Sequence, residues 1–240
     1  MTELLYLEDC YLKEFDATVV EILTEEKAVV LDKTAFYPAG GGQPSDKGKL
    51  IKDSMEYSVL EARKKDSQVL HYVDKVDGLL VGDRIKGKID WNRRYKFMKL
   101  HTACHVLSAV VHKNTGALIT GNQIKENEAR IDFNLENFDR EQIKSFEEEA
   151  NEVIAKNLPV EIKFLPREEA FKIPSIVKLK NVLPPSIEII RIIDIKDFDQ
   201  QACGGTHVKQ LGEIGKIKII KAENKGKNNR RIYFVLENGS

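Results

Sequence analysis

Disulfides have almost no raw material in this chain. Its 240 residues hold three cysteines, Cys10, Cys104 and Cys203, an odd and widely spaced set. That excludes a disulfide framework and points to a reducing compartment, the cytoplasm. Long apolar runs are missing too: no window approaches the roughly 18 uninterrupted apolar residues of a membrane span. The start, Met1-Thr-Glu-Leu-Leu-Tyr-Leu-Glu-Asp9, is too acidic and too poor in apolar residues for a signal peptide. Net charge is absent, since 38 Lys and Arg balance 38 Asp and Glu. A protein that grips nucleic acid with its whole surface is basic, so any such contact here must be a local patch. No internal repeat or low-complexity tract is present.

What is there suffices for one large domain or two modest ones, with 42% apolar and 32% charged residues. Residues 1–90 read as short strands: Val19–Leu23, Ala28–Leu31, Tyr57–Leu60 and Val69–Val73 are β-rich. Gly40-Gly-Gly42, Asp46-Lys-Gly48, Asp77-Gly78 and Gly82-Asp83 punctuate them. A small β-barrel is the expected solution, because closure removes exposed sheet edges. The pattern changes at Asp90-Trp91. Leu100, Ala103, Leu107, Val110 and Val111 form an apolar stripe at helical spacing over 92–114, ended by Thr115-Gly116. Strands are expected at 117–124 and 129–134, and an amphipathic helix at 139–157, stopped by Pro159. A strand at 160–165 and a short helix at 167–172 follow, then an irregular connection marked by Pro174, Pro184 and Pro185. Ile187–Ile195 is apolar enough to be buried on both faces, and strands at 214–220 and 231–236 finish the sheet. The fold class is α+β: a barrel domain over 1–90, then an α+β domain over 91–240 with a mostly antiparallel sheet and two main helices.

Two pairs of residues carry chemistry. His101-Thr-Ala-Cys-His105 lies in the first helix, where residues four apart share a face, so both imidazoles reach one ion. Cys203-Gly-Gly-Thr-His207 follows a strand, and Gly204 and Gly205 permit a tight loop that brings its ends together. Thiolate and imidazole are preferred zinc ligands, and these four complete a tetrahedron. His112 is about 10.5 Å along the axis from His105 and is a poor ligand. Thr102 stands where a His-Glu-x-x-His protease needs its glutamate, which disfavours that chemistry. Cys104 points away from the histidines and reads as core, and Cys10 and Trp91 as structural. Residues 216–231 are basic against Glu223 alone, and Arg93, Arg94, Lys96 and Lys99 form a second cluster. Such runs are solvated faces unless a nearby site needs a polyanion.

His-x-x-x-His on a helix, followed by Cys-Gly-Gly-Thr-His-Val208, resembles the editing domain of alanyl-tRNA synthetase, whose core is shared with an editing domain of threonyl-tRNA synthetase. Pro166-Arg-Glu-Glu-Ala170, Gly212-Glu-Ile-Gly215 and Lys227-Asn-Asn-Arg-Arg-Ile-Tyr-Phe234 agree with it. So do Leu31-Asp-Lys-Thr-Ala-Phe-Tyr-Pro-Ala-Gly-Gly-Gly-Gln-Pro44 and Asp46-Lys-Gly48, which resemble the glycine-rich segment preceding that domain. With the barrel at the start and the last predicted strand near the end, the protein is expected to lack both an ATP-binding aminoacylation domain and the long C-terminal extension of the synthetase, a pattern similar to the free-standing alanyl-tRNA editing proteins of AlaX type in their medium-length form.

That resemblance implies hydrolysis of seryl-tRNA(Ala), and of glycyl-tRNA(Ala), at one Zn2+ per chain, with the acceptor end of tRNA(Ala) as partner and no ATP. A site sized for alanine cannot strongly exclude glycine or serine, so a second site must clear the error. The zinc either acts as a Lewis acid or anchors the substrate terminus. Catalytic zinc usually keeps an open position, so one of four ligands is expected to be loose, with His207 favoured. The resemblance brings Gln43 and the close-approaching Gly41 and Gly42 to the substrate. Thr120 is a further catalytic candidate, and Gln123 a substrate-binding one beside it, for the serine hydroxyl. Arg230 and Arg231, in the basic run, are expected to meet the acceptor-stem phosphates. Three alternatives stay open: a zinc-stabilised RNA-binding module, a hydrolase of another ester or amide, and a purely structural zinc staple.

Overall fold

Glu14 to Ile89 is a set of alternating strands, and alternation with one apolar face is the pattern a closed barrel needs. In the computed structural model, which describes residues 1–177 and 186–237, the chain divides into two compact units, Met1–Phe97 and Met98–Ser240. The first unit contains β1 (Glu3–Leu4), β2 (Glu14–Leu23), β3 (Ala28–Leu31), β4 (Lys33–Thr34), β5 (Gly48–Lys52), β6 (Met55–Lys65), β7 (Gln68–Val73) and β8 (Arg84–Ile89). Six of these close into a barrel in the order β2-β3-β7-β6-β5-β8. Phe15, Ala17 and Val19 of β2 point inward at every second residue and meet Leu31, Leu50, Tyr57 and Val73 in the core.

One buried polar group interrupts that apolar unit. His71 is fully buried, with Nδ1 3.0 Å from the Val29 carbonyl and Nε2 2.8 Å from Thr34 Oγ1. The Val29 carbonyl can only accept, so Nδ1 donates to it, and in the neutral ring Nε2 accepts the Thr34 hydroxyl proton. Burial pushes the His71 pKa down to about 4. The unfolded chain therefore takes up a proton below about 6.5 that the folded barrel refuses. The stability this group contributes is present above that pH and falls towards 4, by at most about 1.4 kcal/mol per pH unit. Denaturation midpoints measured between pH 7 and 4.5 should drop more steeply for the wild type than for His71→Asn.

The boundary between the units falls inside α1 (Trp91–Thr115). Asp90 starts this helix by accepting from Arg93 N, and Gly116, at φ 71°, ends it with its N–H on the His112 carbonyl. The second unit continues with β9 (Ile119–Ile124), β10 (Ala129–Phe133), α2 (Arg140–Ala155), β11 (Val160–Pro166), α3 (Arg167–Ala170), α4 (Pro174–Val177), β12 (Ile189–Ile195), β13 (Asp199–Ala202), β14 (Lys216–Asn224) and β15 (Arg230–Glu237). The strands divide between two antiparallel sheets, β14-β15-β10-β9 and β11-β12-β13, where one was expected. Asp139 and Gln142 close a capping box at the start of α2. Ile190 to Ile195 of β12 are buried, whereas Ile187 and Ile189, in the same apolar run, are exposed, so burial on both faces holds only for the later part of the run. Pro174 opens a helical turn, while Pro184 and Pro185 lie outside the described residues. No helix among the described residues is long and apolar enough to cross a membrane.

Candidate metal centre

Helix α1 carries His101 and His105 on the face turned to the unit's core, so both rings are buried, at 3% and 7% exposure. Strand β13 runs antiparallel to β12 and delivers the chain to Cys203, whose N–H bonds the Arg191 carbonyl. The loop then turns through Gly204 and Gly205 and buries His207. One ligand atom from each of His101, His105, Cys203 and His207 falls in a group where all lie within 4.8 Å of one another. Cys203 Sγ is 3.6 Å from His101 Nε2 and 3.4 Å from His207 Nε2. Around a tetrahedral zinc with bonds of about 2.3 Å to sulfur and 2.0 Å to nitrogen, sulfur and nitrogen sit roughly 3.5 Å apart. The ring of His207 lies 4.5 Å from that of His101 and 4.6 Å from that of His105.

Three observations test whether these groups fit a cation. His105 Nδ1 is buried without a hydrogen-bond partner. Burial pushes the pKa of all three histidines down, to about 4 for His101 and well below the usual value for His105 and His207. The nearby Arg191 charge adds to this in each case. They are thus neutral, the form that ligates. The donor set is one sulfur and three imidazoles, and no carboxylate joins the cluster among the described residues. A cation is what would satisfy the orphaned nitrogen and relieve the crowding of lone pairs.

A second layer orients the ligands. His207 Nδ1 is 3.1 Å from Thr102 Oγ1, which contacts the Met98 carbonyl at 2.9 Å and accepts from Val208 N. The hydroxyl proton goes to Met98 O, so His207 donates from Nδ1 and presents Nε2. Gly205 N–H donates to Cys203 Sγ at 3.3 Å. Thr102→Val keeps the shape but removes the acceptor, and should weaken metal binding about 10- to 100-fold in a chelator competition. Unchanged affinity would show that Thr102 only packs. His207, expected to be the loose ligand, has its Nε2 3.4 Å from Cys203 Sγ and its Nδ1 held by Thr102.

Cys104 is a core residue, its thiol pKa raised by burial. Thr120 is the unpaired extra residue of a β-bulge in β9, since Gly121 faces Asp132 while Ile119 faces Phe133. Bulges of this kind re-aim a side chain. Gln123 Oε1 accepts from Arg130 on β10. Gly41 (φ 55°) and Gly42 (φ 82°) form a two-residue turn whose flanking Gly40 and Gln43 exchange both backbone hydrogen bonds. Positive φ at both central positions is why glycines stand there, and the turn is built rather than slack. Gln43 is buried and belongs to the first unit, whereas the ligand cluster belongs to the second.

The basic run looks different in space. Lys218 pairs with Glu147, Lys221 and Lys225 with Glu223, and Arg231 with Asp132 through two bonds. Arg230 is buried and donates to Asn224 and to the carbonyls of Gly226 and Glu136. A phosphate contact from either arginine would compete with these bonds. Arg94 is no surface cation, being fully buried.

Sequence reading missed Arg191, whose Nη1 donates to the Cys203 carbonyl and braces the ligand loop. Its signal was available: a single charge inside Ile189-Ile-Arg-Ile-Ile193. It also missed β13, the strand that leads into Cys203.

Comparison of the sequence with known proteins points to a family. Residues 190–233 match the model of the threonyl and alanyl tRNA synthetase second additional domain. Residues 8–93 match that of class II (A) tRNA synthetases. The chain is 48% identical to the alanyl-tRNA editing protein AlaX-M of Methanosarcina barkeri, over 98% of this chain and 99% of that one. It is equally similar, at 48%, to the AlaX-M protein of Saccharolobus solfataricus, over 99% of this chain and all of the other. It is 40% identical to alanine–tRNA ligase of Pyrococcus furiosus over 98% of its length, but this covers only 26% of that enzyme. Likeness over the whole length of both chains, with the four ligand-type side chains gathered at one point, places this chain in the family of alanyl-tRNA editing proteins of AlaX-M type.

Proposed function

We propose that this chain is a trans-acting hydrolase that deacylates mischarged tRNA(Ala), chiefly seryl-tRNA(Ala) and also glycyl-tRNA(Ala), at a zinc ion held by His101, His105, Cys203 and His207. The observation that carries the reading is the convergence of those side chains in a member of an editing family. A thiolate with three neutral imidazoles suits zinc and is unsuited to magnesium or calcium. When bound, the zinc would supply Lewis acidity to the ester or a water, or anchor the substrate terminus. The chain's own groups do the positioning. Thr102 sets the His207 tautomer, Gly205 N–H supports the Cys203 sulfur, and Arg191 fixes the loop that carries both ligands.

The exposed lysines of β14 would meet the acceptor stem as salt-sensitive phosphate contacts, tempered by their pairing with Glu147 and Glu223. The cytoplasm is the compartment where such a substrate and a free thiolate ligand coexist.

The test is hydrolysis of seryl-, glycyl- and alanyl-tRNA(Ala) by the wild type and by His101→Ala and Cys203→Ala. The wild type should clear seryl-tRNA and spare alanyl-tRNA. Each variant should lose metal and fall at least about 100-fold in kcat/KM, the loss of several kcal/mol of transition-state stabilisation. Binding of tRNA without turnover by the wild type would convert the reading to an RNA-binding module. Unfolding on metal removal would mark the site as a staple. Gln43→Ala should lower seryl-tRNA hydrolysis while keeping one metal per chain, and unchanged kinetics would remove Gln43 from the reaction.

A further inference from the structure

Three half-buried rings of the first unit stand outside its barrel core. Trp91 opens α1 directly after the capping Asp90, and Tyr95 follows one turn later on the same face. Their rings stack, 5.4 Å apart and 22° from parallel. Tyr11, from the segment ahead of β2, leans on both, 5.5 Å from Trp91 and 6.4 Å from Tyr95. None of the three belongs to the buried cluster inside the barrel, and each keeps part of its surface in solvent.

Cations complete the patch. Lys13 Nζ lies 4.6 Å from the centre of the Trp91 ring. Tyr95 takes one face of the indole, so the ammonium covers the other. Lys13 is exposed, and among the described residues no carboxylate pairs with it. Lys96, exposed as well, follows Tyr95. The acids nearest in sequence are engaged elsewhere: Asp9 accepts from Tyr11 N, Asp90 from Arg93 N, and Glu14 pairs with Lys88. Positive charge is thus concentrated around the rings of a chain that has no net charge. Aromatic faces stack with any base, and lysines at their edge take the phosphodiesters, which is how proteins hold unpaired nucleotides. A duplex hides its base faces and would meet only the lysines. The ammonium over Trp91 is a replaceable occupant, because its flexible four-carbon stem can carry it from the ring to a phosphate.

We infer that Tyr11, Trp91 and Tyr95, with Lys13 and Lys96, form an RNA-docking surface on the first unit, where an unpaired base of the tRNA stacks on Trp91 in place of Lys13. This rests on the deacylase reading for the identity of the RNA. It gives the first unit a contact with substrate made by none of the metal ligands.

Trp91 is the only tryptophan of the chain, so its emission reports on this surface alone. Uncharged tRNA(Ala), a short single-stranded RNA and a blunt-ended RNA duplex are titrated into the metal-loaded protein, with no ester present to be cleaved. The tRNA and the single strand should quench the emission, and the duplex should leave it unchanged. Lys13→Glu alters an exposed side chain and spares the fold. It should weaken tRNA binding about tenfold and lower the slope of log affinity against log salt by about 1. No quenching by tRNA, quenching by the duplex as strong as by the single strand, or wild-type affinity and salt slope in Lys13→Glu would overturn the assignment. The wild-type titrations need no variant to fold. Hydrolysis of seryl-tRNA(Ala) without quenching would keep the deacylase reading and sink this surface; quenching in the expected pattern without hydrolysis would do the reverse.

Discussion

Gly205→Ala is expected to empty the metal centre and abolish deacylation, whereas Gly204→Ala keeps both. A Cβ at position 205 would lie 2.0 Å from Cε1 and 2.3 Å from Nδ1 of His101, and one at 204 would meet nothing within 4 Å. Non-bonded carbon atoms settle near 3.5–4 Å, so the methyl at 205 must displace the ring by more than an ångström. His101 cannot yield cheaply: it is buried on a helix whose other face is packed core. Either its ring swings out, or the loop lifts and takes Cys203 and His207 with it. Both outcomes separate the histidine pair from the second pair, and ligand geometry tolerates only a few tenths of an ångström. We expect a loss of at least about 100-fold in metal affinity for Gly205→Ala, with kcat/KM falling in step, and near-wild-type values for Gly204→Ala. Metal content by elemental analysis and single-turnover hydrolysis read the two effects. A fully loaded, active Gly205→Ala protein would mean that the loop does not approach His101 as described.

The contrast between the two glycines shows where sequence reading stops. Two glycines between a cysteine and a histidine announce a tight loop, but only the approach of the His101 ring separates the indispensable one from the tolerant one. The ligands themselves were legible because helical period and ligand chemistry are local properties of His101-x-x-x-His105. The barrel was legible because alternation and turn glycines are local as well. Long-range partners were not. The basic run looked unopposed because Glu147 and Asp132, which neutralise Lys218 and Arg231, come from α2 and β10. Short β13 was overlooked because Asp199-Gln-Gln-Ala202 carries no apolar alternation, and its pairing to β12 alone makes it a strand. Thr102, more than a hundred residues away, could not be read from the sequence as the partner of His207 Nδ1. The second large effect expected here has the same origin, an aspartate and an arginine that sequence leaves unconnected.

Arg94→Leu should destabilise the first unit by about 3–5 kcal/mol, and the paired change Arg94→Leu/Asp46→Leu should restore little of it. The side chains of both residues are fully buried and ion-paired. Breaking a buried pair by removing one partner strands the other charge, which sets the size of the single-mutant effect. Removing both charges is often harmless when the pair serves only itself. Here it does not. Arg94 also donates to the carbonyls of Cys10 and Ala35, and Asp46 Oδ2 accepts from Tyr37 N at 2.6 Å. An apolar pair removes these three hydrogen bonds from backbone groups of the unit, at about 1–3 kcal/mol each. The cost concentrates in the segment from Tyr37 to Asp46, which contains the Gly41-Gly42 turn and Gln43 and is closed at its base by the Asp46 N–H on the Tyr37 carbonyl. Urea unfolding with a barrel-specific probe, such as exchange protection of the Tyr37 amide, would measure both variants. A double variant as stable as the wild type would show that those backbone groups find water, and that the ion pair is dispensable to the turn.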